Sequence, residues 1–555
     1  MMGSTARRCV CSARSWIVLA AVFASSAYAQ ENRPYRPAFD VVDYTIAIDL
    51  PDTGSTIHAN ATLTVSKPGR ADTLVLDLLD LTVNSVSVDG REVKFTRTPE
   101  TIEIPLRAKR GRNPSYRVAV DYGGAVVDGL IARVDSAGRW TYFGDNWPNR
   151  ARHWIPSIDH PSDKATVTWR VNAPSSKTVV ANGTLVSSRP VRGAAGRTET
   201  VWRESKRIPV YLMVIAAAPL ERYDLGDTAC GLAEVQRCVP QSVYTAPEQS
   251  DFMPGPFVRA GAIVQLFGRL VGPFPYEKLA HLQSSTRFGG MENASNIFYA
   301  DGAFRRRTMN DGLIAHETAH QWFGDAVTER EWAHLWLSEG FATYFAALWT
   351  RAARGDSAFR VQMAHIRETV LADTIAVTKR PVIDTEQTNY LALLNRNSYE
   401  KGGFVLHMLK AQVGEGAFFD ALRRYYLEHR HSTAVTDDLR AAMERESKQD
   451  LGWFFDQWLR RPGYPEVTAA STYDAASHEV VINLSQSDRF GHYQFPLTVA
   501  VIDSSGVEHR ATAQMSAAGN GAQQVRVPLS SAPAEIVLDP DVELLAKLTV
   551  TAASQ

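Results

Sequence analysis

The chain has 555 residues, which is too long for one ordinary hydrophobic core, so the sequence predicts two to four domains. Its composition, 45% hydrophobic and 21% charged, is that of a soluble globular protein. The formal net charge is −1, acidic and basic residues are interspersed, and no run of lysine or arginine suggests a nucleic-acid-binding surface. We therefore expect no nucleic-acid partner.

The first 29 residues have the features of an export signal. Three arginines precede a short apolar run over 16–24, and Ala27-Tyr28-Ala29 fits the small-x-small pattern that signal peptidase reads. An uncleaved membrane anchor is the alternative, but the run is short for a bilayer and no other stretch approaches about 20 apolar residues. The sequence predicts a signal peptide over 1–29, an exported, periplasmic or extracellular protein, and no membrane insertion after cleavage.

The mature chain would keep two cysteines, Cys230 and Cys238. An exported protein meets an oxidising compartment, where two cysteines that close a short loop are candidates for a disulfide. Two unpaired thiols are the alternative, because spacing alone does not fix the geometry that a disulfide requires.

The next part of the chain, from about residue 44 to 225, has the pattern of β structure. Apolar and polar residues alternate over 44–50, as in a half-buried strand. Asp89-Gly90 separates two further alternating stretches and is a dipeptide that tolerates positive φ, which predicts a hairpin. We expect a large antiparallel β domain over 30–247.

Helical periodicity replaces this pattern after residue 257. Apolar residues over 258–270 follow a helical spacing that Gly272 ends, and helical patterning continues with interruptions to Trp458. The segment 461–465, with two prolines and a glycine, stops it. A second domain is predicted over 248–462.

The last part of the chain, 463–555, returns to alternation. Apolar residues occupy every second position in two stretches, and Asn520-Gly521 is a dipeptide typical of a hairpin turn. A small β-sandwich is the expected fold of this part.

The segment His316-Glu317-Thr318-Ala319-His320 carries the candidate chemistry. Asn310 or Asp311 can cap the helix that contains it, and residues four apart lie on one face, so both imidazoles can bind one metal ion. Glu317 is rotated away from that face and can take a proton from a metal-bound water. A helix with two unrelated histidines is the alternative.

A third ligand would make this a catalytic zinc site rather than a structural one. Eighteen residues separate His320 from Glu339, which lies in an apolar run where an unpaired carboxylate would be costly. His334 is a competing third ligand, which we disfavour because Glu339 is better embedded. Glu329 and Glu331 are expected to lie in a solvated turn.

The spacing H-E-x-x-H, eighteen residues, E resembles that of the gluzincin aminopeptidases, the family of aminopeptidase N and leukotriene hydrolase. Around the zinc motif the resemblance extends over H-E-T-A-H-Q-W-F-G-D at 316–325. Three more segments resemble that family: G-G-M-E-N at 289–293, Y-E-K-G at 399–402 and F-F-D-Q-W-L-R-R-P-G-Y at 454–464. Together they extend the resemblance over nearly all of the mature chain.

The resemblance implies a role for each residue that matches the metal motif. His316, His320 and Glu339 would bind one zinc ion per chain. Glu317 would be the general base and then the proton donor. Tyr399 would donate a hydrogen bond to the tetrahedral oxyanion, where it helps only as charge develops.

The resemblance also implies how a substrate would bind. Glu292 would hold the free α-ammonium group, and the backbone of Gly289, Gly290 and Met291 would line the cleft. Family members usually place a second amine-binding Gln or Glu at the position that Trp147 occupies here. The amine would then depend more on Glu292, with a cation–π contact from the Trp147 indole. Many relatives also carry a large helical domain after the β-sandwich, which leaves the preferred peptide length open here.

Together these observations predict a multidomain α+β protein with an N-terminal antiparallel β domain, a thermolysin-like catalytic domain and a C-terminal β-sandwich. The expected function is that of a zinc aminopeptidase with peptide substrates. A zinc endopeptidase or dipeptidase with the same catalytic residues is the alternative enzyme. A β-rich binding protein with an inactive site is the alternative of a different class, and the presence of base, ligands and tyrosine argues against it.

Overall fold

The structure is a computed structural model that describes residues 38–551 except 69, 110, 112, 230–237 and 520. The predicted signal segment 1–29 and Cys230 lie outside these residues, so the export signal and the disulfide stay predictions. Among the helices in the described ranges, none combines the length and the apolar character that a bilayer crossing needs.

The described residues up to 218 are mainly β structure in three sheets. The strands, in chain order, are β1 (Asp40–Asp49), β2 (Thr56–Ser66), β3 (Thr73–Asp77), β4 (Thr82–Val88), β5 (Arg91–Glu92), β6 (Thr96–Arg97), β7 (Thr101–Pro105), β8 (Ser115–Ala125), β9 (Leu130–Val134), β10 (Trp140–Gly144), β11 (Lys164–Pro174), β12 (Thr178–Ala181), β13 (Thr184–Pro190), β14 (Arg197–Pro209) and β15 (Ile215–Ala218). Their orders are β13-β14-β11-β1-β2-β8-β4-β5, β12-β15-β10-β9 and β3-β7-β6.

Local sequence patterns account for much of this region. In β1, Tyr44, Ile46 and Ile48 are buried and their neighbours are less so, as period-two alternation requires. Asp89 and Gly90 have φ of 51° and 76° and connect β4 to β5 in the predicted hairpin. Most pairs are antiparallel, as expected, but β1 pairs with β11 in parallel.

A mixed five-stranded sheet begins the region that carries the site. Its strands are β16 (Glu221–Ala229), β17 (Cys238–Thr245), β18 (Leu279–Ser284), β19 (Gly290–Met291) and β20 (Asn296–Ala300), in the order β16-β17-β18-β20-β19. Because β17 pairs with β18, this sheet crosses the predicted boundary between residues 247 and 248. The domain limits stay predictions.

Helices pack beside this sheet and next to its edge strand β19. They are α1 (Ala260–Leu270), α2 (Asp301–Arg305), α3 (Asp311–His320), α4 (Trp336–Arg354), α5 (Asp356–Ala372), α6 (Ala376–Lys379), α7 (Gly402–Val413), α8 (Glu415–His429), α9 (Thr436–Ser447) and α10 (Gly452–Leu459). A π-helix, Asn397–Lys401, leads into α7. Two short strands, β21 (Val327–Glu329) and β22 (Ser432–Ala434), pair in parallel.

Short 3₁₀ helices complete the helical structure of the described residues. They are Ala151–His153, Val210–Leu212, Pro247–Phe252, Gly255–Phe257, Trp332–His334, Tyr390–Leu393 and Asp488–Phe490.

The C-terminal part is the predicted β-sandwich. Its strands are β23 (Glu466–Asp474), β24 (Glu479–Gln486), β25 (Phe495–Ile502), β26 (Glu508–Met515), β27 (Ala522–Pro528), β28 (Glu535–Leu538) and β29 (Lys547–Thr551). They form sheets of order β27-β24-β23-β29 and β26-β25-β28. Asn520, in the predicted hairpin turn Asn520-Gly521, lies outside the described residues. The strands on either side of that turn, β26 and β27, belong to different sheets and do not pair with each other. The predicted multidomain α+β class is confirmed.

Candidate active site

Helix α3 brings the two histidines of the metal motif together. The Asn310 Oδ1 atom accepts a hydrogen bond from the Leu313 backbone N–H at 3.0 Å, so Asn310 is the cap of this helix. One turn of helix separates His316 from His320, and their Nε2 atoms lie 3.3 Å apart. Glu339, in the first turn of α4, places its Oε2 atom 3.4 Å from each of these nitrogens.

The three donor atoms fit a zinc ion. Zinc lies about 2.0–2.1 Å from nitrogen and oxygen ligands, and a tetrahedron of that size has edges of roughly 3.3–3.4 Å. The triangle of His316, His320 and Glu339 has these edge lengths. The Glu339 Oε2 atom is buried and has no hydrogen-bond partner among the described residues, which is costly unless a cation meets it. Two imidazoles and a carboxylate are also the donor types that zinc prefers.

Other side chains fix the orientation of these ligands. The His320 Nδ1 atom lies 3.0 Å from the Ser338 hydroxyl and 3.3 Å from the Phe323 carbonyl oxygen, which leaves Nε2 directed at the metal position. The Tyr399 hydroxyl donates to the second Glu339 oxygen, Oε1, at 2.8 Å. Burial alone would raise the pKa of Glu339, but the neighbouring imidazoles lower this pKa below its usual value. Sequence reasoning assigned no functional role to Ser338, although this residue directly precedes the third ligand.

The alternative third ligand lies away from this triangle. The His334 Nδ1 atom lies 2.8 Å from the Thr436 hydroxyl, in contact with the start of α9.

The expectation of a solvated turn at Glu329 is wrong. Glu329 lies in β21 and is 1% exposed, and burial raises its pKa well above the usual value. The reason is a pairing with β22, from a distant part of the chain, that local patterns do not reveal. Glu331, two residues later, is partly exposed.

Glu317 leaves α3 on the side of the edge strand β19 and is 5% exposed. It packs directly against Gly290, where a Cβ atom would lie 2.1 Å from the Glu317 Oε1 atom. Any residue other than glycine at position 290 would therefore occupy the space of this carboxylate. Burial, together with nearby carboxylates, raises the pKa of Glu317 to about 8.

Gln321 holds the loop that carries Glu292. Its Nε2 atom donates to the Glu292 carbonyl oxygen at 2.6 Å and to the Asp325 carboxylate at 2.7 Å. Its Oε1 atom accepts from the Ser295 backbone N–H at 2.7 Å. Burial raises the pKa of Glu292 to about 7. Sequence reasoning did not assign a role to Gln321 or Asp325; the only signal was their place in the family-like segment 316–325.

Two glycines explain how Tyr399 reaches the metal ligands. A Cβ atom at Gly340 in α4 would lie 2.9 Å from the Gly402 carbonyl carbon at the start of α7, so the two helices touch through their backbones. This close approach places the π-helix, and Tyr399 in it, beside Glu339. The Lys401 Nζ atom anchors the π-helix by donating to the Gly463 carbonyl oxygen at 2.9 Å.

All nine predicted site residues line one cavity of about 590 Å³. They are Gly289, Gly290, Met291, Glu292, His316, Glu317, His320, Glu339 and Tyr399. Trp147 lines the same cavity, as does Phe288. The Trp147 indole packs edge-on against Phe288 and Trp332, with ring centroids 5.9 and 5.4 Å away. The sequence therefore identified a set of residues that the fold brings together.

Known protein families match most of this chain. A model of the peptidase family M1 domain matches residues 262–458, and a model of the peptidase M1 N-terminal domain matches residues 41–212. Curated relatives include the aminopeptidase N of Lactococcus lactis, 25% identical over 459 residues, and that of Streptomyces lividans, 26% identical over 464 residues. These alignments cover 77% and 78% of this chain but 52% of each relative, so the chain spans about half the length of these relatives.

Solved structures show the same likeness. The M1 zinc metallopeptidase from Deinococcus radiodurans is 25% identical, with a TM-score of 0.66 over 76% of this chain and 93% of that chain. Aminopeptidase A of Legionella pneumophila, in complex with aspartic acid, has a TM-score of 0.79 over 94% of this chain and 60% of that chain. The two chains are 17% identical, so this likeness shows that they share a fold and shows nothing more. From the two M1 models, these relatives and the geometry of the site together, the chain belongs to the gluzincin aminopeptidases of peptidase family M1.

Proposed function

We propose that this protein is a zinc aminopeptidase that hydrolyses the N-terminal peptide bond of peptides. One observation supports this most directly: two buried carboxylates, Glu317 and Glu292, share a cavity with the donor triangle of His316, His320 and Glu339. The triangle can bind the metal, and Glu317 can act as the general base. Glu292 has neither of these roles, and a buried carboxylate requires a cationic partner, which a positively charged group of the substrate would provide.

The proton transfers fall to Glu317. A zinc ion held by His316, His320 and Glu339 would polarise the scissile carbonyl and lower the pKa of the attacking water. Glu317 takes a proton from that water and delivers it to the leaving nitrogen. Its raised pKa suits this exchange, because a carboxyl with a pKa near the working pH can both accept and donate a proton.

Tyr399 acts on the other side of the scissile carbonyl. Its hydroxyl already lies 2.8 Å from the Glu339 Oε1 atom, next to the donor triangle. From there it can donate to the carbonyl oxygen of the substrate as that oxygen gains negative charge. This hydrogen bond strengthens only in the transition state, so it lowers the barrier and not merely the KM.

Glu292 selects the end of the peptide. A buried carboxylate is costly without a cation, and a free α-ammonium group provides one, whereas an internal peptide bond does not. This difference favours an aminopeptidase over an endopeptidase. Trp147, at the family position for a second amine-binding residue, leaves Glu292 as the carboxylate that carries this selection.

Blocked peptides test the proposal directly. A peptide with a free N-terminus is expected to be cleaved one residue at a time, its N-acetylated copy to be cleaved at least about a hundredfold more slowly, and a zinc chelator to abolish cleavage. Mass spectrometry of the products over time measures all three. Equal cleavage of the acetylated peptide would support the endopeptidase, and cleavage of dipeptides alone would support the dipeptidase.

The contribution of Trp147 to amine binding can be measured by a pair of substitutions. Trp147→Leu removes the aromatic face and is expected to raise the KM for an aminoacyl substrate by about tenfold, whereas Trp147→Phe is expected to raise it less. Steady-state kinetics on one aminoacyl fluorophore would show this order. If the KM of Trp147→Leu stays at the wild-type value, the indole does not contribute to binding the substrate amine.

A further inference from the structure

Arg396 is the only lysine or arginine among the described residues that line the active-site cavity. It directly precedes the π-helix Asn397–Lys401, has helical backbone angles and lies three residues before Tyr399. The side chains of Arg396 and Tyr399 both line the cavity. The Arg396 side chain is 53% exposed, so a bound molecule can reach it.

The charges along the cavity match a peptide that carries both terminal charges. One ligand atom each from Glu292, Glu317 and His320 lies within 4.8 Å of the others, at the His320 corner of the donor triangle. Tyr399 contacts Glu339 at another corner, and Arg396, three residues before Tyr399, lines the same cavity. A peptide with its ammonium group at Glu292 would therefore extend past Tyr399 towards the guanidinium group.

The guanidinium group retains donors for a carboxylate. Its Nη1 atom donates to the Glu400 Oε1 atom, four residues later. Arginine has five N–H donors in a planar fork, and a carboxylate can bind two of them side by side. The Glu400 side chain is 17% exposed and lines the same cavity, so Glu400 orients the guanidinium group. The remaining N–H donors are on the more exposed partner, Arg396, and stay available to a second carboxylate.

From this arrangement we propose that Arg396 binds the C-terminal carboxylate of short peptides, so that dipeptides and tripeptides with a free C-terminus are the preferred substrates. The peptide length follows from placement: Arg396 and Tyr399 line the same cavity three residues apart in the chain. A peptide with one or two residues beyond the scissile bond, each spanning at most about 3.3–3.6 Å, is short enough to place its carboxylate near Arg396. This proposal rests on the aminopeptidase function proposed above.

Paired tripeptides test it. The wild-type enzyme is expected to cleave the free acid about tenfold more efficiently, by kcat/KM, than the C-terminal amide of the same tripeptide, since one half-exposed charged hydrogen-bonding pair is lost. Arg396→Gln should bring this ratio to about one, Arg396→Lys should give an intermediate ratio, and added salt should lower the wild-type ratio. Arg380→Gln is the matched control: Arg380 forms the same i,i+4 pair with Asp384, is 47% exposed and does not line the cavity, so the ratio should stay at the wild-type value.

A binding measurement separates this proposal from the proposed function. Calorimetry on the Glu317→Gln variant compares the Kd values of the intact acid and amide without turnover. Equal Kd values, or a wild-type ratio that Arg396→Gln leaves unchanged, would overturn the role of Arg396. Tighter binding of the acid, with no cleavage of any peptide by the wild-type enzyme, would support Arg396 and refute the peptidase function.

Discussion

Glu317→Gln is expected to lower kcat by about a thousandfold or more while the zinc content stays at one ion per chain. Glutamine has nearly the same shape but cannot accept the proton of the attacking water. The side chain lies outside the donor triangle, so its replacement leaves the three ligand atoms in place. Kinetics on an aminoacyl fluorophore and elemental analysis of the purified variant measure the two quantities.

The same variant should unfold at a temperature equal to or above that of the wild-type protein. Glu317 is 5% exposed, and burial raises its pKa to about 8, which means that its ionised form is held at a free-energy cost. A neutral amide removes that cost. Loss of activity together with retained or increased stability would mark a residue kept for its chemistry.

Glu329→Gln is the control for burial. Glu329 is 1% exposed and its pKa is also raised by burial, but it does not line the cavity. Its replacement should leave kcat within about threefold of the wild-type value, as for most substitutions away from a reacting group. If both variants lose activity to the same extent, the effect at Glu317 comes from packing. If Glu317→Gln keeps more than a tenth of the activity, another group is the base.

Much of the candidate site could be predicted because its chemistry is encoded locally. The spacing of His316 and His320 corresponds to one helical turn, and Asn310 caps that helix within the same short segment. Glu339 was predictable from its apolar surroundings and its distance along the chain. The family-like segments then supplied Glu292 and Tyr399, which periodicity alone would not have identified.

Contacts between distant segments could not be predicted in this way. The burial of Glu329 depends on β22, and the parallel pairing of β1 with β11 depends on a strand more than a hundred residues away. Gln321 donates a hydrogen bond to the carbonyl oxygen of Glu292, 29 residues earlier in the chain. No local sequence pattern predicts that these two segments lie in contact. The dipeptide Asn520-Gly521 predicted a hairpin, but a local turn signal does not determine which strands pair, and the flanking strands β26 and β27 belong to different sheets.

Gly290→Ala is expected to lower kcat/KM by about a hundredfold, since displacing a catalytic group by about 1 Å can have an effect of that size. The added Cβ atom would lie 2.1 Å from the Glu317 Oε1 atom, so the carboxylate must move away from its position in the cavity. The protein should still fold and bind zinc, because the displaced atoms are the end of a flexible side chain. Activity, zinc content and thermal unfolding of the variant test this.

The neighbouring glycine and a double mutant decide whether this loss acts through Glu317. At Gly289 an added Cβ atom meets nothing within 4 Å, so Gly289→Ala should cost less than about fivefold. In the Glu317→Gln background the base is already absent, so Gly290→Ala should lower the residual activity little further. If the activity losses of Gly290→Ala and Glu317→Gln add in the double mutant, position 290 acts on the substrate backbone instead. If they do not add, glycine is required at position 290 because it leaves the space in which the carboxylate of Glu317 lies.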